Sequence, residues 1–204
     1  MRLTTLLGAI GAAAPQVAPG PVEVTGLAID SRKVKQGDVF FALEGTRADG
    51  HEYVETAAAA GAVAAVVQRQ VQAGAGMLQL VVSDTREALA RAACEFYDHP
   101  SLKMPLVGIT GTNGKTTVAF LVRQILEHEG ITCGLLGTVI NVLGPESRER
   151  SELTTLQAHD IQRRLALMLD NCCRAAVIEV SSHGLDQKRN YGCHFQVAVF
   201  TNLT

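Results

Sequence analysis

A glycine-rich turn between an apolar strand and an amphipathic helix is the feature that most constrains the fold of this chain. The predicted strand covers 105–109, and the turn after it contains Gly111 and Gly114. Apolar residues at 118, 121, 122, 125 and 126 then recur at the spacing of one helical face. A strand that passes into a helix in this way is typical of parallel sheets covered by helices. The chain is therefore predicted to have an α/β fold.

The rest of the chain repeats this alternation of short apolar runs and helical segments. Strands are predicted over 22–29, 38–43, 63–67, 78–82, 132–136, 138–143, 175–180 and 195–200, and helices over 53–60, 84–98 and 157–170. Residues 144–153 are predicted to form a polar loop.

A break at His99-Pro100-Ser101 predicts a domain boundary. We expect a small N-terminal α/β domain over 1–99 and, over 104–204, a mostly parallel sheet with helices on both faces. Because the chain stops directly after an apolar strand, where ligands of such sheets bind, we expect the second domain to be truncated.

Composition excludes several classes of protein. The 18 Lys and Arg residues nearly balance the 20 Asp and Glu residues, which argues against nucleic-acid binding driven by bulk charge. A hydrophobic content of 47% excludes a disordered chain, and no apolar run approaches the ~20 residues of a membrane helix. The five cysteines contain no C-x-x-C pair, which favours reduced thiols. The apolar run after Met1 is too short for a signal peptide, so we expect a cytoplasmic protein.

The segment Gly111-Thr112-Asn113-Gly114-Lys115-Thr116-Thr117 has the chemistry of a phosphate-binding loop. Glycines let backbone N–H groups approach phosphate oxygens, and the helix N-terminus adds unpaired donors. Lys115 would supply a positive charge, and the Thr116 hydroxyl could bind Mg²⁺. A strict G-x-x-x-x-G-K-[ST] loop would need glycine where Ile109 stands, so this is a variant loop. The alternative is an ordinary strand–turn–helix with an exposed lysine.

Two further residues extend this candidate site. Glu179 ends an apolar strand, and a carboxylate at the carboxyl end of a parallel strand faces the phosphate crevice, where it could hold Mg²⁺. His183 lies in the following loop and could bind a metal or a phosphate. The alternatives are a solvent-facing glutamate and a structural histidine.

The variant loop resembles that of the Mur ligase family, whose enzymes build the peptide stem of bacterial cell-wall precursors. Other matching runs cover nearly the whole chain; they are Ile29–Arg32, Gly37–Ala42, Gly45–Gly50, Thr154-Thr155, Glu179–Leu185 with Gln187 and Arg189, and Val199–Leu203. A related loop occurs in folylpolyglutamate synthase, but the N-terminal runs argue against that enzyme.

The resemblance implies ATP-dependent amide-bond formation through an acyl phosphate, with ATP and Mg²⁺ required. The implied partners are UDP-N-acetylmuramoyl-dipeptide and a free amino acid, with no nucleic acid and no membrane. It implies that Lys115 is catalytic, that residues 111–117 bind ATP, and that Thr116, Glu179 and His183 hold metal. The implied substrate-binding residues are Ile29, Ser31, Thr46, Arg47, Ala48, Thr154, Thr155, Ser181, Gln187 and Arg189.

Several expectations about the whole protein follow from the same resemblance. A modified lysine and a third domain are expected beyond residue 204, so these 204 residues alone are not expected to complete the ligation. The full-length enzyme is expected to be a monomer. The alternatives are a folylpolyglutamate synthase-like ligase, a phosphotransferase, or a non-catalytic nucleotide-binding module.

Overall fold

The structure, a computed structural model, describes residues 1–12, 22–45, 48–72, 77–151 and 153–204. The chain divides into two compact units, Met1–Phe96 and Tyr97–Thr204. No helix in these described ranges is long and apolar enough to cross a membrane.

The first unit is built on a four-stranded sheet in which all neighbouring strands are parallel. Its elements in chain order are α1 (Leu3–Ile10), β1 (Gly26–Ala28), β2 (Asp38–Phe41), α2 (Val54–Ala59), β3 (Ala64–Val67), β4 (Leu78–Val81) and α3 (Thr85–Phe96), with the strands in the order β1-β2-β3-β4. Short 3₁₀ turns at Ser31–Lys33 and Gly50–Tyr53 follow β1 and precede α2. Asp84 begins α3, because its carboxylate accepts the N–H groups of Arg86 and Glu87.

The second unit is a six-stranded, mostly parallel sheet. Its elements are β5 (Leu106–Thr110), α4 (Lys115–His128), β6 (Cys133–Leu136), β7 (Ile140–Val142), β8 (Arg148–Arg150), α5 (Ala158–Asp170), β9 (Ala175–Glu179), α6 (Ser182–Asp186) and β10 (Val197–Phe200). The strand order is β10-β5-β9-β6-β7-β8, and only the β6–β7 and β7–β8 pairs are antiparallel.

Strand β9 shows why this sheet has helices on both faces. Every residue of β9 is buried, and successive side chains point to opposite faces of a strand. Ala175 and Val177 pack in one apolar cluster with residues of α4, whereas Ala176 and Ile178 pack in another with residues of α5. The predicted α/β class, with a mostly parallel sheet between helices, is therefore confirmed.

One part of the sequence-based prediction is wrong, and one helix was not predicted. The predicted polar loop at 144–153 contains strand β8, which pairs with β7 and carries exposed Arg148 and Arg150. The helix that was not predicted is α1, whose Leu3, Leu6 and Ile10 side chains are buried. Several predicted strands are also shorter than expected, most clearly 22–29, where only Gly26–Ala28 is a strand.

Candidate nucleotide and substrate site

The glycine-rich segment occupies the turn between β5 and α4. Gly111 and Gly114 have φ of +133° and +83°, a region that side-chain-bearing residues rarely adopt. A Cβ atom on Gly111 would also collide with the Thr201 side chain and come within 2.9 Å of the Asn202 carbonyl. Helix α4 begins at Lys115, so the first N–H groups of its 14 residues face the turn without intrahelical acceptors. This is the backbone arrangement that binds anions at a helix N-terminus.

The Lys115 side chain folds back over this turn. Its ammonium group donates to the Gly111 carbonyl at 2.7 Å and to the Thr112 carbonyl at 3.2 Å. Both acceptors are neutral, so an anionic oxygen in the same place would form a stronger, charge-assisted bond. The lysine is therefore positioned to exchange its contacts with the loop for contacts with a phosphate.

The segment after β10 forms hydrogen bonds with the same turn. The Asn202 carbonyl accepts the Thr112 N–H at 2.9 Å, and its side-chain oxygen accepts the Asn113 N–H at 3.0 Å. The Thr201 hydroxyl donates to the Asn113 carbonyl at 2.6 Å. These bonds tie residues 112 and 113 of the turn to the segment after β10, and they occupy the N–H groups of Thr112 and Asn113.

Glu179 lies at the end of β9 beside the phosphate loop and is fully buried, with 0% of its surface exposed. One carboxylate oxygen accepts the Thr116 hydroxyl at 2.9 Å and the Thr138 hydroxyl at 3.0 Å. The other accepts the Thr138 N–H at 3.0 Å. In the described part of the chain Glu179 forms no ion pair, so its buried carboxylate oxygens are satisfied by three bonds from neutral donors.

The oxygen atoms of Glu179 and Thr116 suit a magnesium ion. Mg²⁺ prefers oxygen ligands and is usually held by one or two carboxylates together with phosphate oxygens. The Glu179 carboxylate and the Thr116 hydroxyl supply such oxygens next to the phosphate loop. No group of three or more His, Cys, Asp or Glu side chains suited to a metal occurs in the described residues, so most ligands would come from phosphate and water.

His183 hydrogen bonds with a different residue. Its imidazole lies in α6 and hydrogen bonds with the Gln187 amide at 2.8 Å, and its side chain is exposed. The metal-binding role of His183 stays a prediction.

Four of the residues expected to hold the substrate peptide form one hydrogen-bonded network. The Thr155 hydroxyl lies 3.1 Å from the Ser181 hydroxyl and accepts the Ser181 N–H at 2.9 Å. Arg189 donates to the Thr155 carbonyl at 2.7 Å and to the Gln187 side-chain oxygen at 2.6 Å. The fifth residue, Thr154, joins the Glu179 group instead, because its hydroxyl lies 3.2 Å from the hydroxyl of Thr138.

The first unit contains a cleft of about 580 Å³ that three of the predicted N-terminal residues line, namely Ile29, Ser31 and Ala48. The other two predicted residues, Thr46 and Arg47, lie outside the described residues. Tyr53 and Thr56 lie on the same cleft and were missed by sequence reasoning.

A bidentate pair joins the Asp30 carboxylate to the Arg32 guanidinium at the cleft rim, with oxygens and nitrogens 2.8 and 2.9 Å apart. The Arg32 hydrogen bond lowers the pKa of Asp30 to about 2, against its ordinary value of 3.8. The carboxylate is therefore ionised at neutral pH.

Comparison of the sequence with protein families shows which family this chain belongs to. The Mur ligase middle domain matches residues 109–204, and a second description, Mur ligase family, catalytic domain, matches residues 23–97. The chain belongs to the Mur ligase family, and the sequence-based resemblance is confirmed.

Individual members of the family are also similar to this chain. A UDP-N-acetylmuramoyl-L-alanyl-D-glutamate–2,6-diaminopimelate ligase of Geobacter metallireducens is 43% identical over all of this chain and 40% of its own length. The enzyme of the same name from Synechococcus elongatus is 45% identical over 93% of this chain and 39% of its own length. A solved structure of a ligase with that name matches with a TM-score of 0.81 at 27% identity, covering all of this chain and 41% of its own. The chain thus spans about two fifths of the length of these relatives.

Proposed function

We propose that this chain is part of an ATP-dependent ligase that joins an amino acid to UDP-N-acetylmuramoyl-L-alanyl-D-glutamate, a UDP-N-acetylmuramoyl-tripeptide synthetase. The observation that carries the proposal is the buried Glu179 carboxylate bonded to Thr116 at the N-terminus of α4. A nucleotide triphosphate with Mg²⁺ suits that arrangement of backbone donors, lysine and carboxylate. The names of the relatives support the substrate and favour 2,6-diaminopimelate as the amino acid.

The reaction would proceed in two steps. The γ-phosphoryl group of ATP passes to a substrate carboxylate, which gives an acyl phosphate and ADP. The neutral amine of the incoming amino acid then attacks the acyl carbon, an amide bond forms, phosphate leaves with the electron pair of the broken C–O bond, and the nitrogen loses a proton to solvent. The first step brings two anions together, so positioning and charge neutralisation are the main tasks of the protein.

Each residue of the site has a task in this proposal. The N–H groups at the start of α4 and the Lys115 ammonium would bind the phosphate oxygens. Thr116 and Glu179 would hold Mg²⁺, which when bound neutralises charge on the phosphates. The network of Thr155, Ser181 and Arg189 offers hydroxyls and a guanidinium to the peptide part of the substrate.

The cleft of the first unit would bind the uridine diphosphate end. Its volume of about 580 Å³ and its mixed lining of Ile29, Ser31 and Tyr53 suit a nucleotide base and its polar tail. The proposal retains the expectations of a cytoplasmic location and a monomeric full-length enzyme.

Two calorimetric titrations of the whole chain test this function, one with Mg²⁺–ATP and one with UDP-N-acetylmuramoyl-L-alanyl-D-glutamate. We expect both ligands to bind, and Lys115→Ala to weaken nucleotide binding about 10- to 100-fold because charge-assisted bonds to phosphate are lost. The precursor affinity of this variant should be unchanged. Lys103→Ala is the matched control, because Lys103 pairs with exposed Asp98 on the surface of the same unit.

The outcomes separate the alternatives. Absence of precursor binding would contradict the ligase proposal and favour a phosphotransferase or a nucleotide-binding module. An unchanged nucleotide affinity in Lys115→Ala would contradict the assignment of the phosphate loop.

Turnover by the same chain tests the remaining part of the proposal. Because the chain spans about two fifths of the length of its relatives, we propose that these 204 residues bind ligands without completing the ligation. Formation of the tripeptide product from ATP, the precursor and 2,6-diaminopimelate would contradict that statement.

A further inference from the structure

Thr138 is placed between the candidate metal ligand and the candidate substrate segment. It lies just beyond β6, the strand that pairs with β9, so its backbone comes beside the end of β9 where Glu179 lies. Its N–H and its hydroxyl donate to the two different oxygens of the Glu179 carboxylate, each at 3.0 Å. Two bonds from one residue to both oxygens fix the plane of a carboxylate as well as its position.

We propose that Thr138 is a positioning residue that aims the Glu179 carboxylate at the divalent cation of the nucleotide. The proposal rests on the proposed function and deepens it. A carboxylate that accepts hydrogen bonds has about four lone-pair sites, and three of those of Glu179 are used here.

Cation binding changes that set of donors in a definite way. If Thr116 turns its hydroxyl oxygen toward the cation, its proton no longer points at Glu179. The released lone pair of Glu179 then faces the same cation. The two bonds from Thr138 are the donors that remain, so they alone hold the carboxylate in the orientation that the cation needs.

Thr138 also contacts the segment expected to hold the peptide. Its hydroxyl lies 3.2 Å from the hydroxyl of Thr154. A chain of hydrogen bonds therefore runs from Thr116 through Glu179 and Thr138 to Thr154. Movement of the substrate segment would change the orientation of the carboxylate through this one hydroxyl.

Two substitutions separate the hydroxyl from the bulk of the side chain. Thr138→Val keeps the shape and the backbone N–H but loses the hydroxyl, whereas Thr138→Ser keeps the hydroxyl. Because Thr138 is exposed, neither change opens a cavity in the core, and circular dichroism will verify that both variants fold.

The test measures cation binding directly, with Mn²⁺ in place of Mg²⁺. Free and bound Mn²⁺ are quantified by electron paramagnetic resonance in titrations of the whole chain at saturating ADP. We expect Thr138→Val to weaken Mn²⁺ binding about tenfold or more, since a bond to a charged group is lost, and Thr138→Ser to stay within about threefold of the wild type. ADP affinity measured without any divalent cation should be the same in all three proteins.

The outcomes distinguish this proposal from the one on which it rests. Equal Mn²⁺ affinity in the wild type and Thr138→Val would overturn the positioning role while leaving the proposed function intact. An equal loss in Thr138→Ser and Thr138→Val would also overturn it, because the hydroxyl would then be irrelevant. Failure of the wild type to bind Mn²⁺–ADP would overturn the proposed function and this inference with it.

Discussion

Replacing Gly137 with alanine should disturb the buried carboxylate of Glu179 and little else. Gly137 does not have a positive φ, so its backbone accepts alanine without strain. A Cβ atom there would come within 3.3 Å of the Glu179 carboxylate carbon and collide with one of its oxygens. That oxygen is the one that accepts the Thr138 N–H at 3.0 Å, so the collision must break or lengthen this bond.

The magnitude follows from two opposing contributions. Loss of a hydrogen bond to a charged group costs about 1.5–3 kcal/mol. Replacement of glycine by alanine lowers the conformational entropy of the unfolded chain and thereby stabilises the folded state by about 0.5 kcal/mol. The free energy of unfolding should therefore fall by roughly 1–2.5 kcal/mol. Nucleotide-dependent Mn²⁺ binding should weaken in the same variant.

Urea unfolding followed by circular dichroism measures this change. Gly8→Ala is the matched control, because a Cβ at that position in α1 meets no atom within 4 Å and should leave the chain as stable or more stable. In the Glu179→Asp background, where the carboxylate is withdrawn by one methylene group, Gly137→Ala should cost much less. A stability equal to the wild type, or equal costs in both backgrounds, would refute the account of this contact.

Two further predictions concern groups outside this site. Since folding lowers the pKa of Asp30 from 3.8 to about 2, its contribution to stability is complete above about pH 5 and is lost as the pH falls toward 2. Urea unfolding of the wild type and Asp30→Asn should show a stability difference that shrinks over this range, and a constant difference would contradict this prediction. Cys172 is exposed, whereas Cys94 and Cys133 are buried with thiol pKa values raised by burial to about 11 and about 12. A thiol reagent at pH 8 should therefore show a fast phase that disappears in Cys172→Ser, and persistence of that phase would contradict the assignment.

The positions of the glycine-rich turn and of Glu179 could be predicted from the sequence because each depends on local order along the chain. A strand, a glycine-rich turn and a helix are contiguous, and Glu179 ends its own apolar strand. Thr138 was missed because its role depends on β6 lying next to β9, although the two strands are separated by β7, β8 and α5 in the chain. The only signal in the sequence was that Thr138 is a polar residue just after an apolar strand. The strand order is needed to show that this position lies beside Glu179.

The errors in the fold have equally specific causes. Strand β8 is an edge strand whose Arg148 and Arg150 are exposed, so no apolar alternation marks it. Its middle residue, Glu149, instead forms an ion pair with Arg164 of α5, a contact between residues 15 positions apart. The buried residues of α1, by contrast, recur at helical spacing, although this helix was not among the predicted elements.

A crystal structure of the chain with Mg²⁺ and a non-hydrolysable ATP analogue tests the central claim most directly. We predict that the phosphates lie against the N–H groups at the start of α4, with the Lys115 ammonium moved from the Gly111 and Thr112 carbonyls to a phosphate oxygen. The magnesium ion should lie between the Thr116 hydroxyl and the Glu179 carboxylate. A nucleotide bound elsewhere, with Lys115 still on the loop carbonyls and Thr116 still bonded to Glu179, would contradict the account.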